Sequence, residues 1–370
     1  MPQRSRQRMG PFVNAPVFPD FGRAFSVSAL HRAMMRALKG HRGDAEAAAF
    51  LLESGPRLCA LSRTLNDGSW RSAPFRLFPI RDPKPRMVAV VPFADRVVHH
   101  ALVSALEPMI EPQLDPDSYA CRRGMGLHRC VERAQDLLRT YPYYLGLDIE
   151  GYFRAIPHET LLATLRGFGA PEPFVDLFGR ILAAEEVQSF RPGQALVEEA
   201  SPDSPLTPHP SPLLPRGMCI GALTSQFLGN VGLHPVEAML RRAFSDADHV
   251  RYMDDIVVFG GSKRRLWEVH EAIGEEVERL GLKLKPSATR LAPATEGLSF
   301  CGYRVYRSSI RLRRRSLIRL GRRIKSTERR RRSGTISSER AESSVTTRMN
   351  HAATADTLEW RRALARRLWP

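Results

Sequence analysis

Two apolar runs that flank a pair of adjacent aspartates constrain the fold of this chain more than any other feature. The stretch HVRYMDDIVVFGG spans residues 249–261, and its apolar side chains are spaced as in two buried β-strands. Met253, Asp254 and Asp255 are therefore predicted to form the tip of a hairpin. Adjacent carboxylates resist ionising together unless a positive charge neutralises them, and a divalent cation is a common solution. An ordinary Asp-rich turn is the alternative at this point.

A third aspartate follows an apolar run elsewhere in the chain. In YYLGLDIEGYFRAIPH, Asp148 comes directly after five mostly apolar residues and before a predicted turn and helix, so we place it at the C-terminal end of a strand. If this strand and the hairpin lie side by side in one sheet, three carboxylates come together. Such a cluster is what two-metal phosphoryl transfer requires, and hard oxygen ligands favour Mg²⁺.

Positive charge is concentrated near the C-terminal end. The 370 residues carry a net charge of +17, and the segment 301–370 alone has 20 Lys or Arg against 5 Asp or Glu, a surplus of 15. Runs such as RLRRRSLIRLGRRIK keep apolar residues near helical spacing. This pattern predicts a helix with an apolar seam and an arginine surface, which suits a polyanion such as a nucleic-acid duplex. A solvated basic face is the alternative.

Other classes of protein are disfavoured by composition. No apolar run is long enough to span a membrane, and the basic N-terminal segment lacks the apolar core of a secretory signal, so we expect a cytoplasmic protein without a membrane partner. Five scattered cysteines without zinc spacing indicate reduced thiols. Cys121, His128 and Cys130 lack a fourth ligand, so no metal is expected there.

Periodicity and turn residues predict the remaining elements. The first forty residues are predicted to be loop-rich, and a β-hairpin with RDPKPR at its turn is predicted over 75–91. Helices are predicted over 44–65 with a break at Gly55-Pro56, 95–110, 157–169, 223–244 and 266–280. Short strands are predicted near 282–284, 290–291 and 298–305. The Pro- and Ser-rich segment 191–216 is predicted to be an exposed excursion without regular structure.

With these segments in place, the sequence resembles the reverse transcriptases. Tyr252-Met253-Asp254-Asp255 matches their YMDD signature, and Asp148 matches the first aspartate of their palm. The segments RDPKPRMVAVVPFADR, DIEGYF, GALTSQFLGN, YMDD, LGLKLKP and FCGY follow in the family's order across roughly residues 75–305. The resemblance implies an α+β fold, in which a right-hand polymerase has fingers and a palm made of an antiparallel sheet plus helices, and a helical thumb.

The resemblance also implies a domain order and a partner set. Residues 1–74 would be an N-terminal extension and the start of the fingers, 75–305 the fingers and palm, and 306–370 a basic helical thumb. The implied activity is RNA-directed DNA synthesis, in which a template RNA is copied into cDNA. The implied partners are therefore the template RNA, the cDNA–primer duplex and deoxynucleoside triphosphates.

The resemblance also implies catalytic roles for individual residues of this chain. Asp148, Asp254 and Asp255 would be catalytic and, with the backbone carbonyl of Ile149, would hold two Mg²⁺ ions, for which Mn²⁺ can substitute. Asp255 either completes the cluster or only steadies the turn. Either Lys283 or Lys285 would be the proton donor to pyrophosphate. The resemblance does not choose between them, because family members often have a Lys where this chain has Ala288.

Further residues would contact the nucleotide and the duplex. Lys84 and Arg86 would bind the incoming triphosphate, with an exposed basic turn as the alternative. Phe153 would exclude a ribose 2′-hydroxyl, with a core aromatic as the alternative. The other expected nucleotide-binding residues are Ile220, Gly221 and Gln226. The expected primer and template contacts are Tyr252, Met253, Phe300, Gly302, Arg313, Arg314 and Arg315.

One segment departs from the common pattern of the family. Many reverse transcriptases have Gln-Gly followed by Ser-Pro where this chain has Ile220-Gly221 and Ser225-Gln226. The pattern here is similar to that of reverse transcriptases from diversity-generating retroelements of bacteria and phages. That resemblance implies error-prone copying at adenines, diversification of a target gene and a small basic accessory protein. A retron-like or defence-associated reverse transcriptase, or an inactive nucleic-acid-binding module with the same fold, are the alternatives.

Overall fold

The computed structural model describes residues 17–41, 43–81, 85–189 and 215–368. The chain forms two compact units. The first unit comprises Met1–Leu114 and Ile156–Gly232, and the second comprises Asp115–Ala155 and Leu233–Pro370. The chain therefore passes from one unit to the other three times.

Helices account for most of the described residues. In chain order they are α1 (Phe21–Ala24), α2 (Val27–Ala37), α3 (Ala45–Leu52), α4 (Ser54–Asn66), α5 (Phe93–Ile110), α6 (Leu127–Thr140), α7 (Tyr152–Ala155), α8 (His158–Gly167), α9 (Glu172–Ser189), α10 (Leu223–Val231), α11 (His234–Ala243), α12 (Lys263–Arg279), α13 (Arg314–Arg332), α14 (Ser338–Ala353) and α15 (Leu358–Leu368). The strands are β1 (Arg76–Arg81), β2 (Pro85–Val90), β3 (Tyr143–Asp148), β4 (Asp248–Tyr252), β5 (Asp255–Gly260), β6 (Arg290–Pro293), β7 (Leu298–Phe300), β8 (Tyr303–Val305) and β9 (Ile310–Leu312). Among these helices, none combines the length and the apolar character needed to cross a lipid bilayer.

The described part of the first unit is mainly helical and contains the β1–β2 hairpin. Helix α2 packs against α5, and α8 packs against α9 and α10. Strands β1 and β2 pair antiparallel from Arg76 opposite Val90 to Arg81 opposite Pro85, which confirms the predicted hairpin. The turn at 82–84, with Lys84, lies outside the described residues, as does most of the Pro- and Ser-rich excursion at 191–216.

The prediction of a loop-rich start was wrong for the residues described there. Helices α1 and α2 are capped at their N-termini by Asp20 and Ser26, whose side chains accept hydrogen bonds from the backbone N–H groups of Arg23 and Ala29. The apolar residues of α2 that are buried lie at helical spacing: Leu30, Ala33, Met34 and Ala37. The flanking Gly, Pro and Arg residues had concealed this pattern.

Two predicted helices have different internal boundaries. The break in 44–65 falls at Glu53 rather than at Gly55-Pro56, because Pro56 lies in the first turn of α4, where the missing N–H has no helical partner to lose. The segment 223–244 is not one helix. It divides after Val231, and α11 begins with His234 and Pro235, since proline fits the first turn of a new helix better than the interior of an old one.

The second unit is built around a four-stranded antiparallel sheet with the strand order β4-β5-β3-β6. A smaller antiparallel sheet has the order β7-β8-β9. The predicted strand at 282–284 forms only an isolated bridge between Leu284 and Ile149. Helices α13, α14 and α15 contact one another, and Leu320, Ile324 and Val345 join the same apolar core as the sheets.

Candidate functional site

The sheet of the second unit places two of the predicted aspartates opposite each other. Strands β3 and β5 pair so that Asp148 is directly across from Asp255, and β4 pairs with β5 so that Tyr252 is also across from Asp255. Directly opposed residues of an antiparallel pair project from the same face of the sheet. Asp148 and Asp255 therefore share a face, and both are half-buried.

The hairpin turn is shorter than the sequence predicted. Met253 and Asp254 alone connect β4 to β5, because Asp255 is already the first residue of β5. Met253 has a φ of +56°, the left-handed region in which a two-residue hairpin turn favours glycine. This conformation costs a non-glycine residue roughly 1–2 kcal/mol, so neighbouring contacts have to hold the turn.

The end of β3 lies beside the segment that carries both candidate proton donors. The N–H of Lys285 donates to the Asp148 carbonyl, and the N–H of Glu150 donates to the Lys283 carbonyl, each at 2.9 Å. The carbonyl of Ile149 takes no part in either bond. Lys283 is exposed and Lys285 is half-buried, and the choice between them stays a prediction.

A glycine turn positions two aromatic residues directly after this strand end. Gly151 has a φ of +55° and precedes α7, which begins with Tyr152 and Phe153. Burial raises the pKa of Tyr152, which is 1% exposed, whereas Phe153 is only half-buried and its ring centroid lies 5.5 Å from that of Tyr152. Tyr152 thus occupies the core position, and Phe153 borders it.

The first unit contains the other predicted nucleotide-binding residues that the structure describes. The N–H of Ala89 in β2 donates to the Ile220 carbonyl at 2.8 Å, so Ile220 and Gly221 lie against the strand that carries Arg86. Gly221 has a φ of +114°, and a Cβ there would stand 2.8 Å from the Ala89 carbonyl oxygen. No other residue fits this position without moving β2. Arg86 and Gln226 are exposed, and Ile220 is half-buried.

The predicted primer contacts lie on the hairpin and on the β7–β8 turn. Tyr252 is half-buried against the core, and burial raises its pKa to about 12. Phe300 is buried at the end of β7, and Gly302, with a φ of +88°, lies in the turn that follows. The Gly302 carbonyl accepts hydrogen bonds from the Arg313 N–H and the Ser316 hydroxyl, both at 3.2 Å, which joins this turn to the start of α13.

The three arginines predicted to contact the duplex are at the start of α13. Arg313 is the N-cap residue, and Arg314 and Arg315 begin the helix. All three are exposed, and within the described ranges none forms an ion pair. Their guanidinium groups therefore face solvent, as a phosphate-binding role would require.

A buried ion pair on β4 was not predicted from the sequence. Arg251 is fully buried and donates from Nε and Nη2 to the two carboxylate oxygens of Glu237 on α11, at 2.7 and 2.8 Å. Its Nη1 also donates to the Met253 carbonyl at 3.1 Å. The signal in the sequence was an arginine between Val250 and Tyr252, in a strand that the pattern predicts to be buried.

A second ion-pair group, whose carboxylates are buried, lies near the first. Arg241 donates to both carboxylate oxygens of Asp115, at 2.7 and 2.9 Å, and to Asp117 at 2.8 Å. His249 Nε2 is 3.4 Å from Asp115 Oδ1, but its alignment is too poor for a regular hydrogen bond. Burial opposes ionisation of Asp115, yet its contacts with Arg241 and His249 outweigh burial and hold the pKa of this carboxyl well below its usual range.

This buried region also contains a group of possible metal ligands. Asp115, Glu237 and His249 offer ligand atoms within 4.8 Å of one another, and the three predicted aspartates do not form so tight a group. However, Arg241 and Arg251 already neutralise the two carboxylates with bidentate hydrogen bonds. A divalent cation would add charge where charge is balanced, so we interpret this group as an ion-pair network.

Comparison with known proteins places the chain in a family. A family model described as reverse transcriptase (RNA-dependent DNA polymerase) matches residues 80–305. The chain belongs to the reverse transcriptase family. Its mixture of helices and antiparallel sheets is that of the reverse transcriptase polymerase fold, which confirms the predicted α+β class. Reverse transcriptases use divalent metals, in accord with the predicted need for such ions.

Similarity to individual known proteins is weaker. A search of curated proteins found no match. Among solved structures, apo telomerase from Candida tropicalis is similar with a TM-score of 0.46 and 10% identity, over 69% of this chain and 52% of that chain. Telomerase from Candida albicans in complex with a TWJ fragment of telomeric RNA is similar with a TM-score of 0.45 and 12% identity, over 65% and 45%. The chain thus spans about half the length of these telomerases.

Proposed function

We propose that this reverse transcriptase family member is an RNA-directed DNA polymerase with Asp148, Asp254 and Asp255 as its catalytic residues. The observation that carries the proposal is the cross-strand pairing of Asp148 with Asp255, with Asp254 in the adjoining turn. These carboxylates are hard oxygen donors and are only half-buried, which suits Mg²⁺ or Mn²⁺. The backbone carbonyl of Ile149 adds a donor of the same kind.

The chain's own residues have distinct tasks in this reaction. When bound, divalent ions lower the pKa of the primer 3′-hydroxyl and neutralise the departing pyrophosphate. Asp148 and Asp254 supply anionic oxygens at positions fixed by β3 and by the hairpin turn. Arg86 binds the triphosphate through its planar fork of donors, and Phe153 excludes a 2′-hydroxyl by its bulk. Lys283 or Lys285 supplies a proton to the leaving group.

Substitution of the aspartates tests the proposal. In primer extension on an RNA template with Mg²⁺, Asp148→Asn or Asp254→Asn is expected to lower the rate by about 1000-fold or more, because an amide cannot supply the anionic ligand. Asp246→Asn is the matched control, since Asp246 is an exposed residue of the same unit that pairs with Arg265 at the surface. Near-normal synthesis by either active-site variant would contradict the assignment.

We further propose that the enzyme belongs to the diversity-generating type and copies a template RNA with errors at adenines. It would act in the cytoplasm of a bacterial host, as a bacterial or phage gene product, together with a small basic accessory protein. The support is the pair Ile220-Gly221, held against β2 where the family commonly has a Gln. An isoleucine offers no polar contact to an incoming nucleotide. Since such a contact is worth on the order of 1 kcal/mol, its absence loosens selection.

A single substitution tests the error-prone function. Ile220→Gln is expected to lower misincorporation opposite template adenine more than opposite the other three bases, and Ile220→Leu serves as the apolar control. Sequencing of the cDNA that the wild type and both variants make on one RNA gives the error fraction opposite each template base. An unchanged adenine fraction with lower overall activity would instead make Ile220 a packing residue and would favour the retron-like or defence-associated type.

A further inference from the structure

The left-handed turn between β4 and β5 receives a side-chain hydrogen bond from a buried cation. Arg251 Nη1 donates to the carbonyl oxygen of Met253, the residue with a φ of +56°. Met253 lies directly before Asp254, so the orientation of its peptide group sets where the next side chain begins. A bond from a charged donor to that carbonyl therefore acts on the position of Asp254.

The guanidinium group that makes this bond is itself fixed. Both oxygens of Glu237 accept from Nε and Nη2, and Glu237 and Arg251 are 1% and 0% exposed. The planar fork of arginine engages the carboxylate at two points and still offers a third donor in a set direction. A lysine could pair with Glu237 but would lack this geometry.

The backbone of Arg251 is held as firmly as its side chain. On the outer edge of β4, its N–H donates to the Asp117 carbonyl at 2.9 Å, and its carbonyl accepts from the Tyr119 N–H at 3.0 Å. On the other side, Arg251 pairs with Ile256 of β5. The donor to the turn is thus anchored to α11, to residues 117–119 and to the sheet.

We propose that Arg251 is a positioning residue, which holds the Met253–Asp254 turn ready for divalent-cation binding, and that Glu237 orients Arg251 for this task. The inference rests on the proposed function, because it assigns Asp254 to metal binding. The ordinary alternative is that the buried pair only stabilises the fold. The two roles differ in one respect: a structural pair can be replaced by apolar side chains without loss of metal affinity, whereas a positioning residue cannot.

The test uses a double variant that removes both buried charges together. Arg251→Met with Glu237→Met leaves no unpaired charge, so the full chain is expected to keep a Tm near that of the wild type. Mn²⁺ affinity is measured by electron paramagnetic resonance on a dideoxy-terminated RNA–DNA template–primer with the next nucleotide bound. We expect Mn²⁺ affinity to fall, and the Mg²⁺ concentration for half-maximal extension to rise, by about tenfold or more.

Two controls make the result specific. Arg265→Met with Asp246→Met removes a bidentate arginine–carboxylate pair of the same unit, at the surface, and should leave Mn²⁺ affinity unchanged. Arg251→Lys keeps the charge but not the fork and should weaken Mn²⁺ binding at a nearly unchanged Tm.

Each outcome decides the inference. A folded double variant with wild-type Mn²⁺ affinity and Mg²⁺ dependence would overturn it and leave the proposed function intact. If the double variant does not fold, Arg251→Lys decides, because wild-type Mn²⁺ affinity and Mg²⁺ dependence in that variant would likewise overturn the inference. Asp254→Asn is the reference for loss of the site, and wild-type Mn²⁺ affinity in that variant would overturn the proposed function and this inference together. Mn²⁺ binding that depends on Asp254 and Arg251 without DNA synthesis would refute only the polymerase activity.

Discussion

At the scale of single residues, the site combines positions that the sequence makes plain with others that it conceals. Asp148 and Asp254 stand out because a carboxylate beside an apolar strand needs an explanation. Gly221 does not stand out, because its close approach to Ala89 comes from a contact between segments about 130 residues apart in the chain. Arg251 is similar, since one arginine in a basic chain gives no sign that its partner is Glu237.

Phe153 provides a prediction at this scale. Phe153→Val should open space for a 2′-hydroxyl, because the ring is only half-buried and its residue follows the last residue of β3 by five positions. We expect the preference for deoxynucleotides over ribonucleotides to fall by at least about tenfold, a change of the size that a missing group in a pocket produces. Primer extension with deoxynucleotides and ribonucleotides in competition measures this preference.

Phe153→Tyr is the matched control for this change, because it keeps the ring. This variant should still prefer deoxynucleotides over ribonucleotides as the wild type does. If Phe153→Val still rejects ribonucleotides as the wild type does, the ring is a packing residue next to Tyr152 and not a barrier to the sugar.

At the scale of elements, segments with strong periodicity were predicted correctly, whereas the boundaries between neighbouring elements were not. The hairpins β1–β2 and β4–β5 were correctly predicted because alternation and turn residues agree within one short window. The boundary between α10 and α11 was missed because apolar spacing continues across it, and the break depends on where Pro235 can be accommodated. The segment 282–284 is apolar enough for a strand, but only Leu284 forms a bridge.

Helix α13 provides a prediction at this scale. Its apolar seam at Leu320 and Ile324 is buried, while Arg313, Arg314 and Arg315 are exposed at its start. Replacing these three arginines by Gln should weaken binding to a template–primer duplex for all sequences alike. The slope of log affinity against log salt should become shallower by up to about 0.9 for each phosphate that the variant no longer neutralises, the value for B-form DNA.

This slope is measured by titrating duplex binding at salt concentrations from about 50 to about 300 mM. Arg264→Gln is the control, because Arg264 is 93% exposed and pairs with Glu268 on α12. A changed sequence preference with the wild-type slope would argue against phosphate binding by these arginines.

At the scale of the whole molecule, the pH dependence of stability should reflect a buried carboxyl that is remote in the sequence from the aspartates proposed to be catalytic. Asp95 on α5 is 3% exposed and accepts hydrogen bonds from the Ser72 hydroxyl and the Ala73 N–H, both at 2.8 Å. Burial raises its pKa to about 6. The folded chain therefore keeps a proton that the unfolded chain releases near pH 4, so this group's contribution to stability is lost as the pH rises from about 4 to about 6.

Asp95→Asn removes the charge and keeps an oxygen acceptor for both donors. The free energy of unfolding of the variant, relative to the wild type, should rise across that pH range and level off above pH 6 at up to about 3 kcal/mol. Urea unfolding between about pH 4 and 8 measures the difference. Asp136→Asn, at an exposed position on α6, is the control, and a difference that is constant with pH would contradict the prediction for Asp95.

The crossing of the chain between the two units also sets the order in which the proposed active site can form. Asp148 pairs with Asp255, which follows 107 residues later, and the intervening residues include 77 that belong to the first unit. A ribosome that adds about 5–20 residues per second needs roughly 5–20 s to supply the partner strand. During that interval the apolar segment of β3 has neither of its partner strands, β5 and β6, so its unpaired backbone groups can bind a chaperone or another nascent chain.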